Sequence, residues 1–282
     1  MNQQLRWRFN DYDYDLTDQV LVMGIINLSP DSFYKGSYYD EGEAVNQALK
    51  MESDGADLID IGALSTRPGS SEVPIGVEIS RIKSVLPQIT RQIKIPVSVD
   101  TYRSEIARYA LDNGAAVIND ISALRFDASM VDVVKDKECG IIIMHIKGRP
   151  RDMQENPEYG DLVGEIYGHL KERLDYLHDA GINTDRVVID PGLGFGKKLE
   201  HNYQLIRDLG RFQDLKRPIL VGISRKSFTG IPLNIRPEER LPSSIALETL
   251  AVMNGARILR VHDVKEVKQA VGIIGEYSRC RS

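Results

Sequence analysis

The chain has 282 residues, with 36 Lys and Arg against 41 Asp and Glu and a formal net charge of -5. That length suits one (β/α)8 barrel, which takes ~250 residues, and it buries a large core without help from disulfides or metals. The mildly acidic balance argues against nucleic acid as a partner, which needs a basic face, and leaves room for a local basic pocket around an anionic substrate.

Met1–Gln19 is polar and carries Asp11, Asp13, Asp15 and Asp18. It lacks the basic region and apolar run of a signal peptide, and no later stretch reaches the ~20 apolar residues of a membrane span. The two cysteines, Cys139 and Cys280, have no zinc-ligand spacing. The expectation is a cytoplasmic protein with no membrane partner.

From Val20 onward, short apolar runs alternate with longer segments of helical period. The runs are Val20–Asn27, Leu58–Gly62, Pro96–Asp100, Val117–Asn119, Ile141–His145, Val187–Asp190, Ile219–Gly222 and Ile258–Val261. They are rich in Val and Ile and almost unbroken, the pattern of parallel strands buried on both faces. Between them, Glu41–Gly55 lines up Ala44, Ala48 and Met51, and Gly76–Gln92 lines up Ile79, Ile82 and Leu86. Leu162–Ala180 does the same with Ile166, Leu170, Leu174 and Leu177. Gly55, Gly114, Gly181 and Gly255 stand where helices should close. Eight such alternations without a linker predict an α/β fold: a single TIM barrel over residues 1–282, with 1–19 as a polar extension packed on or near it. An open doubly wound sheet is the alternative.

In barrels of this kind the chemistry collects at the carboxyl ends of the strands. Here those ends carry Asn27, Asp60, Asp100, Asn119, His145, Asp190, Ser224–Lys226 and Arg260–His262. Any one of them has an ordinary explanation as a turn opener or helix cap. Eight together favour a polar pocket. Asp190 heads Asp-Pro-Gly-Leu-Gly-Phe-Gly-Lys, whose glycines let backbone approach a ligand and whose Phe195 offers an aromatic wall. This loop has neither the P-loop spacing nor the dinucleotide pattern. A carboxylate ahead of it suits a ligand with adjacent N–H donors, such as a guanidine-like ring edge. Ser224-Arg225-Lys226-Ser227 reads as an anion site ahead of a turn of helix, or else as a solvated basic loop. Arg260 and His262 alternate onto one side of a strand end and, with Asn27, make a candidate anion or diphosphate site. His145 alone reads as a strand-end histidine, and His169, His178 and His201 as surface residues on helices. With no Gly-x-Ser-x-Gly elbow, a serine triad is not indicated.

Taken jointly, the motifs resemble the dihydropteroate synthase family from residue 20 to about residue 274. They run Met23-Gly24-Ile25-Ile26-Asn27-Leu28-Ser29-Pro30-Asp31-Ser32-Phe33, Ser65-Thr66-Arg67-Pro68-Gly69, Ser98-Val99-Asp100-Thr101, Ile118-Asn119-Asp120-Ile121, Met144-His145, Asp190-Pro191-Gly192, Ser224-Arg225-Lys226-Ser227 and Arg260-Val261-His262. The resemblance implies a pterin-binding TIM barrel that joins a pterin diphosphate to p-aminobenzoate through a cation formed as diphosphate leaves. It implies that Asp100, Asn119 and Asp190 hydrogen-bond the pterin, that Lys226 contacts it from above, and that Met144, Phe195, Arg260 and Gly222 surround it. Asn27, Arg67, Arg260 and His262 would hold diphosphate, with magnesium near Asn27. Phe33, Thr66, Arg67, Pro68, Lys226 and Ser227 would form the p-aminobenzoate pocket, where sulfonamides bind in the family. Catalysis would rest on Lys226, Arg260, His262, Arg67 and Asp100. A homodimer is implied as well.

Two positions depart from the family's pattern. Lys35 stands where an acidic residue is usual, and Leu64 where Glu or Gln is usual. A methyltetrahydrofolate–corrinoid methyltransferase on the same barrel, or a pterin-binding paralogue without activity, are the competing readings. The first would lack the Ser224–Ser227 and first-loop motifs.

Overall fold

The structure is a computed structural model that describes residues 4–29, 41–65, 67, 69–70 and 73–280. Eight parallel strands close into a barrel: β3 (Leu21–Asn27), β4 (Leu58–Gly62), β5 (Val97–Asp100), β6 (Val117–Asp120), β7 (Gly140–Met144), β8 (Val187–Asp190), β9 (Ile219–Val221) and β10 (Ala256–Val261). β10 pairs with β9 on one side and with β3 on the other, Arg260 lying opposite Met23. That closure removes the open-sheet alternative. The observed strands match the predicted runs to within one or two residues. β7 begins and ends one residue early, and His145 donates its N–H to Asp190 O at 3.0 Å as it leaves the ladder.

Helices follow the strands: α1 (Glu41–Ser53), α2 (Ile75–Gln92), α3 (Ser104–Asp112), α4 (Met130–Asp136), α5 (Leu162–Asp179), α6 (Leu199–Arg207), α7 (Ser227–Gly230), α8 (Leu241–Met253) and α9 (Val264–Arg279). Their apolar stripes, such as Ile82, Val85, Leu86 and Ile89 of α2, pack on the outward parity of the strands, including Ile59, Ile61, Val99, Ile141 and Ile143. α5 starts where the Asp161 carboxylate accepts from Gly164 N at 3.1 Å, satisfying one of its free amides. It closes at Gly181, whose φ of 82° a side chain would strain.

The inward parity explains where polar residues go. Met23, Leu58, Val117, Ile142, Val188, Leu220 and Ile258 fill the amino end of the barrel as one apolar cluster. Side chains on a strand repeat every two residues, so the next inward layer is Ile25, Asp60, Asn119, Met144, Asp190, Gly222 and Arg260. The strands are thus apolar below and polar above on the same face.

The amino end is closed by a hairpin that the sequence reading did not resolve. β1 (Arg6–Phe9) and β2 (Tyr12–Asp15) pair antiparallel, with Trp7 opposite Tyr14. Trp7, Phe9 and Leu16 are buried against the lower apolar layer. Trp7 Nε1 donates to Arg186 O at 2.9 Å. A Cβ at Gly140 would lie 3.0 Å from the Phe9 ring, so glycine makes room for the plug.

Candidate active site

At the opposite end a cleft of about 610 Å3, counted out to open solvent, lies over the polar layer. Asn27 and Asp100 reach it from β3 and β5, and Arg260 and His262 from β10. Gly222, Ser224 and Lys226 enter after β9, Phe195 after β8, and Leu64, Ser65 and Arg67 from the loop after β4. Residues 200 or more apart in sequence therefore share one mouth. Asn119, Met144 and Asp190 lie in the buried layer beneath, and Asp190 acts electrostatically on Lys226 and Arg260. Ser227 is exposed in the first turn of α7, outside the lining. Phe33, Lys35, Thr66 and Pro68 lie outside the described residues.

Arg260 organises the floor. Its Nε donates to Asp60 Oδ2 at 2.6 Å and its Nη2 to Asp100 Oδ2 at 3.0 Å. Asn119 Nδ2 reaches the same Asp60 oxygen at 3.3 Å. Burial raises the Asp100 carboxyl from the usual range, against the pull of Arg260. Asp60 was noted in sequence as a strand-end residue. In the structure it sits mid-strand, fully buried, with Oδ1 lacking a hydrogen-bond partner in the protein. A lone carboxylate inside an apolar run was the available signal.

Asp190 Oδ1 accepts from Gly192 N at 2.7 Å. Burial raises its carboxyl, while Lys226, the Gly192 N–H, Lys197 and Arg260 all favour the ionised form. The glycines are needed here: a Cβ at Gly192 would sit 1.9 Å from His145 O. Lys226 Nζ donates to Leu193 O at 2.5 Å and lies 4.6 Å from the Phe195 ring centroid. Burial and the neighbouring Arg260 pull this ammonium down to about 8, with Asp190 opposing. A cation over an aromatic wall, above a carboxylate, is a site for a flat polar ring.

Ser224 sets the direction of His262. Its Oγ accepts from His262 N at 3.2 Å and lies 3.0 Å from Nδ1. These two contacts fix the orientation of the ring, which in its neutral form carries one N–H. Burial and Arg260 drop this imidazole to about 3, so it donates without carrying charge.

Arg225 does not serve the cleft. It forks onto Asp263 with two 2.8 Å bonds and donates to Pro237 O and Glu238 O, bracing the loop that carries Lys226. His169 also departs from expectation. It is half-buried, edge-on to His145 at 5.0 Å, and burial lowers it to about 4. His178 is exposed as expected. Leu64, the residue that departs from the family's pattern, packs with Tyr102, Ile121, Met144 and Phe195 at the cleft edge.

Residues 23–262 match the family described as pterin binding enzymes. The dihydropteroate synthase of Escherichia coli is 40% identical over 254 residues, 90% of each chain. The chain belongs to the dihydropteroate synthase family. A dihydropteroate synthase of Synechocystis is likewise 40% identical, over 91% of this chain and 89% of that one. The crystal structure of Yersinia pestis dihydropteroate synthase with a sulfonamide drug superposes with a TM-score of 0.93 at 37% identity, covering 98% of this chain and 99% of that one. The Xanthomonas albilineans dihydropteroate synthase in complex with 7,8-dihydropteroate does so at 0.85 and 36% identity, covering 97% and 98%. With these dihydropteroate synthases the chain shares its barrel architecture.

Proposed function

We infer that this chain is a dihydropteroate synthase, a transferase that condenses 6-hydroxymethyl-7,8-dihydropterin diphosphate with p-aminobenzoate to give 7,8-dihydropteroate and diphosphate. The observation that carries the reading is one cleft with a carboxylate-and-amide floor, at Asp190, Asn119 and Asp100, beneath a donor rim at Arg260, His262 and Arg67. The floor matches the N–H edge of a pterin, and the rim matches its diphosphate. A carboxylate accepting two parallel N–H bonds fixes the ring, and Lys226 and Phe195 cover its faces.

With the ring fixed, the methylene carbon faces the rim. The diphosphate leaves with its charge taken up by Arg67, Arg260 and the His262 N–H, which is electrostatic stabilisation of a leaving group. The arylamine nitrogen then bonds to the methylene carbon of the cation, and its proton passes to the released diphosphate or to water. Holding two substrates in one cleft turns their encounter into an intramolecular step. Arg67, Lys226 and Ser227 are the described residues proposed to receive p-aminobenzoate.

Among the described residues no group of three or more His, Cys, Asp or Glu could cage an ion. Asn27, at the cleft, offers one neutral oxygen. That donor set fits magnesium arriving on the diphosphate, which keeps several waters and leans on substrate oxygens. Bound there, with Asn27 as its protein ligand, the ion would supply added neutralisation of the leaving group. Purified protein given the pterin diphosphate, p-aminobenzoate and magnesium is expected to release diphosphate. No release at all would reject the activity. A chelator should abolish release yet leave the melting temperature of the ligand-free protein unchanged, and a lowered melting temperature would contradict a substrate-borne metal.

A homodimer is supported by exposed apolar side chains on two helices that pack together, Leu250 and Met253 of α8 with Ile273 and Tyr277 of α9. Sedimentation is expected to give twice the 31.7 kDa chain mass, and a single-chain mass at micromolar concentration would refute the pairing. Among the described residues no helix is long and apolar enough to cross a membrane. Cys139 and Cys280 are both free thiols, which is the support for a cytoplasmic setting.

A further inference from the structure

Lys197 closes the glycine-rich loop, is 3% exposed, and has no part in the reaction derived above. Its Nζ donates to Phe195 O at 2.9 Å and meets His145 Nδ1 at 3.1 Å. Burying an ammonium is costly unless its hydrogen bonds and charge are matched. A methionine would fill similar space without that cost, so the function of Lys197 lies in its bonds and its charge.

The bonds belong to a set. Four successive carbonyls of the loop are each held by a side chain, three of them from elsewhere in the chain and one, Lys197, from the loop's own end. Leu193 O accepts from Lys226, Gly194 O from Gln154 at 2.9 Å, Phe195 O from Lys197, and Gly196 O from the Tyr159 hydroxyl at 2.7 Å. The Gly194 N–H is held as well, by Asn202 Oδ1 at 2.7 Å. Of these clamps, Lys197 is the one at Phe195 itself.

The charge has a partner too. Burial lowers the Lys197 ammonium to about 7, with the Asp190 carboxylate opposing and Lys226 and Lys147 adding to the fall. Reciprocally, Lys197 is among the cations that favour ionised Asp190. His145 is held neutral by burial and by Lys197, so its Nδ1 accepts rather than repels.

We propose that Lys197 is a positioning residue of the pterin site: it fixes the Phe195 wall through Phe195 O and His145 Nδ1. The proposal rests on the pterin reading above. The full chain carrying Lys197→Met is titrated calorimetrically with the pterin diphosphate in magnesium buffer, beside the unmutated chain. KM is measured for both substrates, with far-UV circular dichroism as the fold control.

The expected result is a pterin dissociation constant raised about tenfold or more, with the KM of p-aminobenzoate changed less than about twofold. Gln154→Ala, which removes a neighbouring clamp but no charge, should shift pterin affinity less than about threefold. Should Lys197→Met not fold, His145→Leu decides, because it removes the Nδ1 partner, along with the ring contact to His169, and leaves the Lys197 bond to Phe195 O. A pterin-selective loss in it supports the proposal, and unchanged affinity overturns it. If the unmutated chain binds the pterin diphosphate and folded Lys197→Met binds it equally well, the proposal fails alone. Equal loss for both substrates also overturns it. Failure of the unmutated chain to bind overturns the functional reading and the proposal with it.

Discussion

Asp190→Asn is expected to lose pterin binding while keeping the fold. The substitution preserves shape and the carbonyl oxygen that Gly192 N–H binds at 2.7 Å, so the turn after β8 has its partner. What changes is the face toward the ligand. A carboxylate accepts two N–H bonds at once, whereas an amide presents one acceptor and one NH2 group, which meets the donors of the pterin edge head-on. The site is buried, so water cannot make good the lost acceptor. Lys226 and Lys197, which now lean on the Asp190 charge, would also lose it. Removing one partner of a desolvated charged hydrogen bond costs roughly 2–5 kcal/mol. That is a rise in dissociation constant from roughly thirtyfold to several thousandfold. Calorimetry on the folded variant measures it, and unchanged pterin affinity would remove Asp190 from the site.

Trp7→Ala should be the most damaging single change far from the cleft. Trp7 is completely buried, its ring centroid is 4.5 Å from that of Phe9, and its indole N–H is bound to Arg186 O. Truncation opens a cavity under the lower apolar layer and strands that carbonyl, a loss of about 3–5 kcal/mol. Asp13, exposed on the same hairpin, provides the contrast: its pairs with Arg6 and Arg8 are solvated, and Asp13→Ala should leave the denaturant midpoint nearly unchanged. Denaturant midpoints for the two variants test both statements. A Trp7→Ala loss below about 1 kcal/mol would show that the hairpin does not seal the barrel.

The barrel was legible in sequence because each strand is buried on both sides, which leaves a Val- and Ile-rich run with few polar interruptions. The cleft residues were legible for a related reason. At Asn27, Asp100, Asn119, Asp190 and Arg260 the inward parity turns polar near the end of each run. The hairpin was harder to see. Arg-Trp-Arg-Phe and Tyr-Asp-Tyr-Asp alternate with period two, but their four charged residues outweigh the two buried side chains, Trp7 and Phe9, in any average over the segment. Asp60 stands among the strand-end residues in the sequence although its run continues two residues further to Gly62, because a lone carboxylate inside an apolar run resembles the polar end of one. His169 was read as a surface residue because helical spacing alone does not reveal the His145 ring, 24 positions earlier and on another element. Lys197 depends on a contact across 52 residues, which no local pattern encodes.

Arg260 sits on the last strand, while its two carboxylate partners sit on the second and third strands of the barrel, 200 and 160 residues earlier. The seam that closes the cylinder and the floor that receives the ligand are therefore completed by the same side chain. A chain emerging from the ribosome can lay down seven of the eight strands and still lack a working floor. Its two acids then lie together without their cation and repel each other. Pterin affinity should appear abruptly, once β10 has emerged and docked, rather than grow with chain length. Stalled nascent chains of increasing length would register that step as the moment of ring closure.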